Sequence, residues 1–385
     1  MINQKRKQIA NTVPDAQEIL RGFNILLGCR HVYELRALGA DRCGTISGYF
    51  DADHRLEMAE AANDWSGKAE GVYLTINPVL PDLIARAFNR CRVWAKYTTS
   101  DDQIMRRHWV PIDFDAKRPA GISSTDEEHE AALDRTRDCY RWLLSQGFPK
   151  NSLVIADSGN GGHLLVRVSL NNTEECKELV RRCIEAVAFH FTDKVVDVDL
   201  KMFNAARIFK VYGSMACKGD SISERPHRFA RLLKVPKKIE AAPLSVLKDL
   251  AALVPEEPKS KVQQYQVFRG RSFDVASWIV EHKLSVVEEK PWKGGHAWVL
   301  NPCPWNPDHT NRAAYILQFP SGAIAAGCHH NGCTGNDWHA LRDLYEPGWR
   351  ERRRDDGLAI PEGVSPAMET EYRRVKKSRS RNSSR

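Results

Sequence analysis

The sequence predicts an α+β protein with a smaller second unit at its C-terminal end. Three observations carry that expectation. Strand-like apolar runs and helical stretches are interleaved between residues 70 and 213. The composition then turns Pro-, Lys- and Glu-rich over 234–264, around the short helical stretch LSVLKDLAAL. Beyond that break, residues 273–348 are rich in Trp, His, Cys and Gly. At 385 residues the chain has room for roughly two to three domains and a real core. A composition 42% hydrophobic and 28% charged excludes collagen-like, mucin-like and wholly disordered chains.

The elements follow in order. A charged lead-in, 1–29, carries a helix around 15–27. EGVYLTIN (70–77) reads as a strand closed by Asn77-Pro78, followed by a helix at 82–92 and the strand WVPIDFD (109–115). Ser124, with Glu127 three residues on, opens a capping box for a helix that Gly147 stops. SLVIAD (152–157), the turn SGNGG and HLLVRVSL (163–170) form a hairpin. Thr173 caps a helix to about Phe191, and VVDVDL (195–200) and RIFKVYG (207–213) are further extended segments. The expected organisation is a catalytic domain over 30–250, a linker over 251–272, the Cys/His unit over 273–348 and a basic tail over 349–385.

Charge and targeting signals narrow the class. Residues 373–385 hold seven Arg/Lys and no acid, so the formal charge of +8 falls to +1 without them. The tail reads as disordered, either a salt-sensitive phosphate-binding arm or a solvated end. MINQKRKQIANTVPD has no apolar segment behind it, and the longest uncharged stretch, 313–336, is interrupted by Gln318, Pro320 and Ser321. No signal peptide and no membrane span are therefore expected. Ten cysteines without a secreted-scaffold rhythm point to the cytoplasm.

Asp113 and Asp115 flank Phe114 at the end of an apolar strand, where i and i+2 share a face. Two carboxylates 4 Å apart repel by about 4 kcal/mol at an effective dielectric near 20, so one protonates or a cation sits between them. Hard oxygen ligands suit Mg²⁺ or Mn²⁺. A second copy, Asp51 and Asp53, lies in a polar stretch and reads as a solvated turn. Asp197 and Asp199 offer another acidic strand. Set beside the first, it would complete the layout of two-metal phosphoryl or nucleotidyl transfer. The turn Ser158 to Gly162 brings backbone amides within reach of an anion, with His163 at its mouth. Taken alone, it reads rather as a plain hairpin turn with a surface His. Arg207, Lys210, Lys218, Arg225 and Arg228 supply positive charge suited to a triphosphate. No Walker phosphate loop occurs, so any helicase would act from a separate chain.

In combination these stretches resemble the archaeo-eukaryotic primase superfamily, in its bacterial, phage and plasmid primase-polymerase branch. The matching segments are GVYLTINP (71–78), PIDFDAKRPAGISST (111–125), SGNGGHLL (158–165), VDLKMFNAARIFKVYGSMACKGD (198–220) and ERPHR (224–228). The resemblance implies an N-terminal α/β part packed on an RRM-like catalytic sheet. It implies Asp113, Asp115 and Asp199 as ligands of two Mg²⁺ or Mn²⁺ ions. Asp199 is preferred to Asp197 because it stands five residues before Asn204. Ser158, Asn160, His163, Arg207 and Lys210 would contact the incoming nucleoside triphosphate. The implied activity is primer synthesis and extension on single-stranded DNA, with helicase, replication or CRISPR proteins as further partners. The alternatives are an inactive nucleic-acid-binding replication factor and a metal-dependent nuclease using the same carboxylates.

Cys303, His309, Cys328 and Cys333 form two short clusters flanking a hairpin turned at Pro320-Ser321-Gly322. Three thiols and one imidazole suit a single structural Zn²⁺, with His330 the rival to His309. A unit this small gains much of its folding energy from such a metal. It resembles the zinc-ribbon modules appended to primases, which grip template or the initiating nucleotide. Trp292, Trp298, Trp305 and Trp338 are either base-stacking groups or core.

Overall fold

The computed structural model describes residues 16–257, 273–310 and 312–349. The expectations for residues 1–15, for 258–272 of the linker and for 350–385 of the tail lie outside the described residues. The chain forms two compact units, dividing after Val254.

Unit 1 opens with α1 (Ala16–Leu26), β1 (Tyr33–Ala40), β2 (Gly44–Phe50), α2 (Arg55–Trp65), β3 (Gly71–Thr75) and β4 (Cys91–Arg92). It continues with β5 (Arg106–Ala116), α3 (Asp126–Ser145), β6 (Leu153–Asp157), β7 (Gly161–Asn171) and α4 (Glu174–Phe191). It ends with β8 (Val196–Val198), β9 (Ile208–Lys210), β10 (Met215–Ala216), β11 (Arg228–Phe229), β12 (Arg231–Lys234) and α5 (Leu244–Ala252). Two antiparallel five-stranded sheets result, in the orders β4-β2-β1-β3-β9 and β12-β6-β7-β5-β8. One apolar core joins both sheets to the helices, and Ile19, Phe23 and Leu26 bring α1 into it. The helix of the lead-in is thus a core element of this unit.

Local chemistry sets the elements that carry the site. β5 buries Trp109, Val110, Ile112 and Phe114 between β7 and β8, which fixes the face presented by the alternate residues. The capping box of α3 is Thr125 with Glu128, one residue later than expected. Ser124 is unavailable as a cap because it is buried and bonded to Asn160. Thr173 caps α4 as expected, and that helix runs to Phe191. β8 stops at Val198, short of the expected strand end. There Asp199 becomes the N-cap of a 3-10 turn, Leu200–Phe203, with Oδ1 accepting from the Lys201 amide.

The helix expected at 82–92 does not form. Pro81–Arg86 is a 3-10 turn and Cys91–Arg92 is an edge strand on β2. The backbone here is tied outward to the sheet rather than within itself: Tyr49 N donates to Ala87 O, and Asn89 N to Tyr49 O. Asn89 and Trp94 adopt positive φ, which ends any helical run.

Unit 2 holds α6 (Val275–Glu281), then β13 (Val286–Trp292), β14 (Gly295–Leu300), β15 (Ala314–Gln318), β16 (Ile324–Cys328) and α7 (Trp338–Tyr345). The four strands form an antiparallel meander in sequence order. The β15–β16 hairpin turns where the sequence placed it. Trp298 and Trp338 are core residues of this unit, the second of the two readings open for them. Together the two units make the α+β class expected from the sequence. Among the described residues no helix is long and apolar enough to cross a membrane.

Candidate active site and metal centre

The chain passes from β8, at the edge of the second sheet, through a short turn to β9, at the edge of the first. That crossing builds a cavity of about 360 Å³ in unit 1. Asp113, Asp115, Asp199, Ser158, Asn160, His163, Arg207 and Lys210 all line it. Lys218, Tyr73, Phe209 and Met202, which the sequence reading gave no site role beyond the charge of Lys218, line it too. Asp197 is paired in register with Asp115, yet it is exposed and absent from the cavity wall.

The carboxylates sit under strain of charge rather than of backbone. Asp113 Oδ1 is buried without an aligned hydrogen bond, and His163 Nε2 stands 3.3 Å from it. Burial works to raise the Asp113 carboxyl, but His163, Lys218 and Arg207 outweigh it and hold the group below its ordinary range. Asp115 is pushed up, first by burial and then by the charge on Asp113. Arg118 is bonded to Asp115 Oδ1 at 3.3 Å and to the carbonyls of Ala116 and Ile122. Asp199 Oδ2 accepts from Arg207 at 2.9 Å. An orphaned buried acceptor beside a like charge is what a divalent cation would satisfy. The chemistry of Asp113 and Asp115 therefore fits a cation, while Asp199 is paired with Arg207.

The glycine turn acts differently from an anion cradle. Its amides are taken up locally: Gly159 N donates to Asp157 Oδ1, and Asn160 N and Gly161 N to Ser158 Oγ. Close packing explains the glycines. A Cβ on Gly161 would stand 2.2 Å from Phe114 O, and one on Gly162 would stand 2.0 Å from Thr136 Oγ1. Asn160 Oδ1 accepts from the Ser124 amide at 2.9 Å, so its remaining group toward the cavity is the amide nitrogen. His163 is buried, with Phe209 against its ring at 3.9 Å between centroids and Tyr212 Oη 2.9 Å from Nδ1. Tyr212 escaped the sequence reading; its signal was its place two residues after Lys210 in an extended segment.

Lys210 is the buried cation of the site. Burial draws its ammonium down to about 7, with Lys218 adding to the effect. Its Nζ donates to Met215 O and lies 5.1 Å from the Tyr73 ring centroid. Arg225 and Arg228 do not join it. Arg225 makes a two-pronged pair with Glu128, and Arg228 pairs with Asp126 and Ser124. Both hold the start of α3, because the acids of its first turn offer nearer partners than the cavity.

In unit 2, Cys303, His309, Cys328 and Cys333 offer ligand atoms within 4.8 Å of one another. Among the described residues this is the one group of three or more His, Cys, Asp or Glu donors drawn so close. Cys303 Sγ and Cys333 Sγ are 3.8 Å apart, and His309 Nδ1 is 3.4 Å from Cys333 Sγ and 3.8 Å from Cys328 Sγ. Tetrahedral bonds of about 2.3 Å to sulfur and 2.0–2.1 Å to nitrogen give separations of about 3.8 Å and 3.6 Å. The donor set therefore fits structural zinc. His330, the rival ligand, stacks on His309 at 3.8 Å and stands 3.3 Å from Cys328 Sγ.

No family model and no curated protein matches the chain. Among solved structures, it is similar to the AEP domain of the cyanophage S-2L primase-polymerase. The identity is 13% and the TM-score 0.38, over 63% of this chain and 100% of that one. It is similar to primase RepB' at 12% identity and a TM-score of 0.35, over 62% of each chain. It is also similar to the catalytic domain of primase RepB' in complex with initiator DNA. There the identity is 13% and the TM-score 0.35, over 62% of this chain and 95% of that one.

Proposed function

We propose that unit 1 is a template-directed nucleotidyltransferase of the primase-polymerase type, making primers on single-stranded DNA and extending them. The observation that carries this reading is the convergence of three carboxylates, a fixed imidazole and three cationic side chains on one nucleotide-sized cavity. Asp113, Asp115 and Asp199 would hold two Mg²⁺ or Mn²⁺ ions. Bound there, such ions activate the attacking 3′-hydroxyl and neutralise the leaving pyrophosphate. Arg207, Lys210 and Lys218 bind the triphosphate and offset its charge. The Ser158 hydroxyl and the Asn160 amide orient it, and His163 donates to a phosphate oxygen from a position set by Tyr212 and Phe209. Burial of Lys210 and of Asp113 Oδ1 keeps water from screening these charges.

Zinc held by Cys303, His309, Cys328 and Cys333 gives unit 2 its fold. That unit serves initiation by gripping the template or the first nucleotide. Replacing Cys328 and Cys333 therefore impairs priming more than extension.

The test is synthesis on unprimed single-stranded DNA with labelled nucleotides and Mn²⁺ or Mg²⁺, comparing wild type with Asp113→Ala/Asp115→Ala. Short products from the wild type, reduced about a thousandfold or more in the variant, are expected. Extension of an added primer without unprimed synthesis would reduce the protein to a polymerase. No synthesis by a folded, metal-loaded protein would leave a nucleic-acid-binding platform.

A further inference from the structure

Among the described residues, the large apolar side chains that stand exposed include three aromatics: Phe88, Trp94 and Tyr97, at 62%, 65% and 72%. All three fall within ten consecutive residues, FNRCRVWAKY (88–97). The same segment carries Arg90, Arg92 and Lys96, all exposed, and no acid. Exposed aromatics alternating with cations are the chemistry that binds single-stranded nucleic acid, with bases on ring faces and phosphates on the charges.

The segment is held firmly. Trp94 N donates to Cys43 O and Ala95 N to Thr45 O. A Cβ on Gly44 would lie 2.5 Å from the Trp94 ring, so the indole rests on bare glycine backbone and keeps its other side open. The Arg90 carbonyl likewise approaches Gly48 too closely for any side chain there. At the near end, the Phe88 ring meets His54 edge-on. Phe88 and Trp94, fixed this way, lose little conformational freedom when a base stacks on them.

We propose that residues 88–97 form a stacking platform for the single-stranded template, distinct from the nucleotide cavity. The platform rests on the nucleic-acid reading above. β4 lies at one edge of the first sheet and β9, with Lys210, at the other. Four inter-strand steps of about 4.8 Å separate them by about 19 Å. The platform therefore engages template nucleotides several positions away from the one being copied.

The test measures binding of fluorescein-labelled oligothymidylates to the full-length protein by anisotropy, across a salt series and a length series, without nucleotides. Trp94→Ala/Tyr97→Ala weakens binding of long oligonucleotides about tenfold or more, with the salt slope unchanged. Arg90→Ala/Arg92→Ala lowers the slope of log K against log salt by about 1.4, from two lost phosphate contacts. Tyr97→Ala alone and Trp94→Phe guard against a packing effect: the first weakens binding and the second largely restores it. Blunt duplex of equal length shows no aromatic dependence. Equal binding by wild type and the aromatic variants would overturn the platform and leave the catalytic reading standing. Absent nucleotide incorporation with these binding differences intact would remove the catalytic reading and keep the platform.

Discussion

The cavity of unit 1 and the Cys/His cluster of unit 2 both suit metal ions, and they are built in opposite ways. The cluster is closed: its thiols and imidazole already stand at the separations a tetrahedral ion requires. The cavity is open, and its carboxylates are held by protein cations, Asp199 by Arg207 and Asp115 by Arg118. The first arrangement converts metal binding into folding energy. Under the proposed function, the second keeps charges available for a substrate that brings its own phosphates. A donor set that is preorganised and enclosed stabilises; one that is paired with exchangeable partners reacts.

The largest effect that would break this contrast is metal removal. Chelation, or Cys328→Ser with Cys333→Ser, is expected to unfold unit 2 while unit 1 keeps its cooperative transition. Structural zinc in comparable small sites contributes an apparent 10–16 kcal/mol or about that scale. Hydrogen exchange resolved along the chain checks it: protection should vanish over 273–349 and persist in β5 and β7. Retained protection in β15 and β16 would show that the meander folds without its metal.

A smaller effect sharpens the other half. Lys210 is held near 7 in the folded protein against 10.5 in the unfolded chain. The unfolded state therefore binds more protons between those values, and stability rises with pH across that window. Below pH 7 the full penalty of the buried ammonium is present. Lys210→Met should then stabilise the nucleotide-free protein by about 2–4 kcal/mol at pH 6, with the gain fading toward pH 10. The same variant should bind nucleoside triphosphate far more weakly. Wild-type affinity should also fall as pH rises from 6 to 8, with proton uptake on binding detectable by calorimetry in buffers of different ionisation enthalpy. A variant that is less stable at pH 6 would show that Lys210 is a packing residue.

The sequence was legible where residue types are rare or where an apolar run aims them. Three thiols and a histidine at short spacing have few uses, so the cluster of unit 2 could be read directly. Asp113 was marked by Trp109 to Ile112, the buried run of β5 that leads into it. What stayed hidden depended on tertiary partners. Ser124 and Thr125 are equally good caps on paper, and only the bond from Ser124 to Asn160 decides between them. Arg225 and Arg228 look like phosphate ligands until Glu128 and Asp126 are seen beside them. Residues 82–92 have helical spacing, but hydrogen bonds to Tyr49 take their backbone to the sheet edge. That override also hid the aromatic platform, while Trp298 and Trp338 went to the core, the commoner place for a tryptophan.

Tyr212 offers the smallest and most discriminating test of how the open site is held. Its hydroxyl stands 2.9 Å from His163 Nδ1, while the ring itself is buried beside Phe209. Burial raises the phenol well above its ordinary range, so the group stays neutral and can donate to the imidazole. With Nδ1 occupied in this way, Nε2 carries its proton toward Asp113 and the cavity. Tyr212→Phe keeps the packing and removes that bond, at a stability change of about 1 kcal/mol. The expected result is a turnover number lowered about tenfold, the KM for nucleotide nearly unchanged, and a displaced acid limb in the pH–rate profile. An unchanged profile would mean that Phe209 and the β5–β7 register alone position the ring, and that the cavity is more rigid than its exchangeable ion pairs suggest.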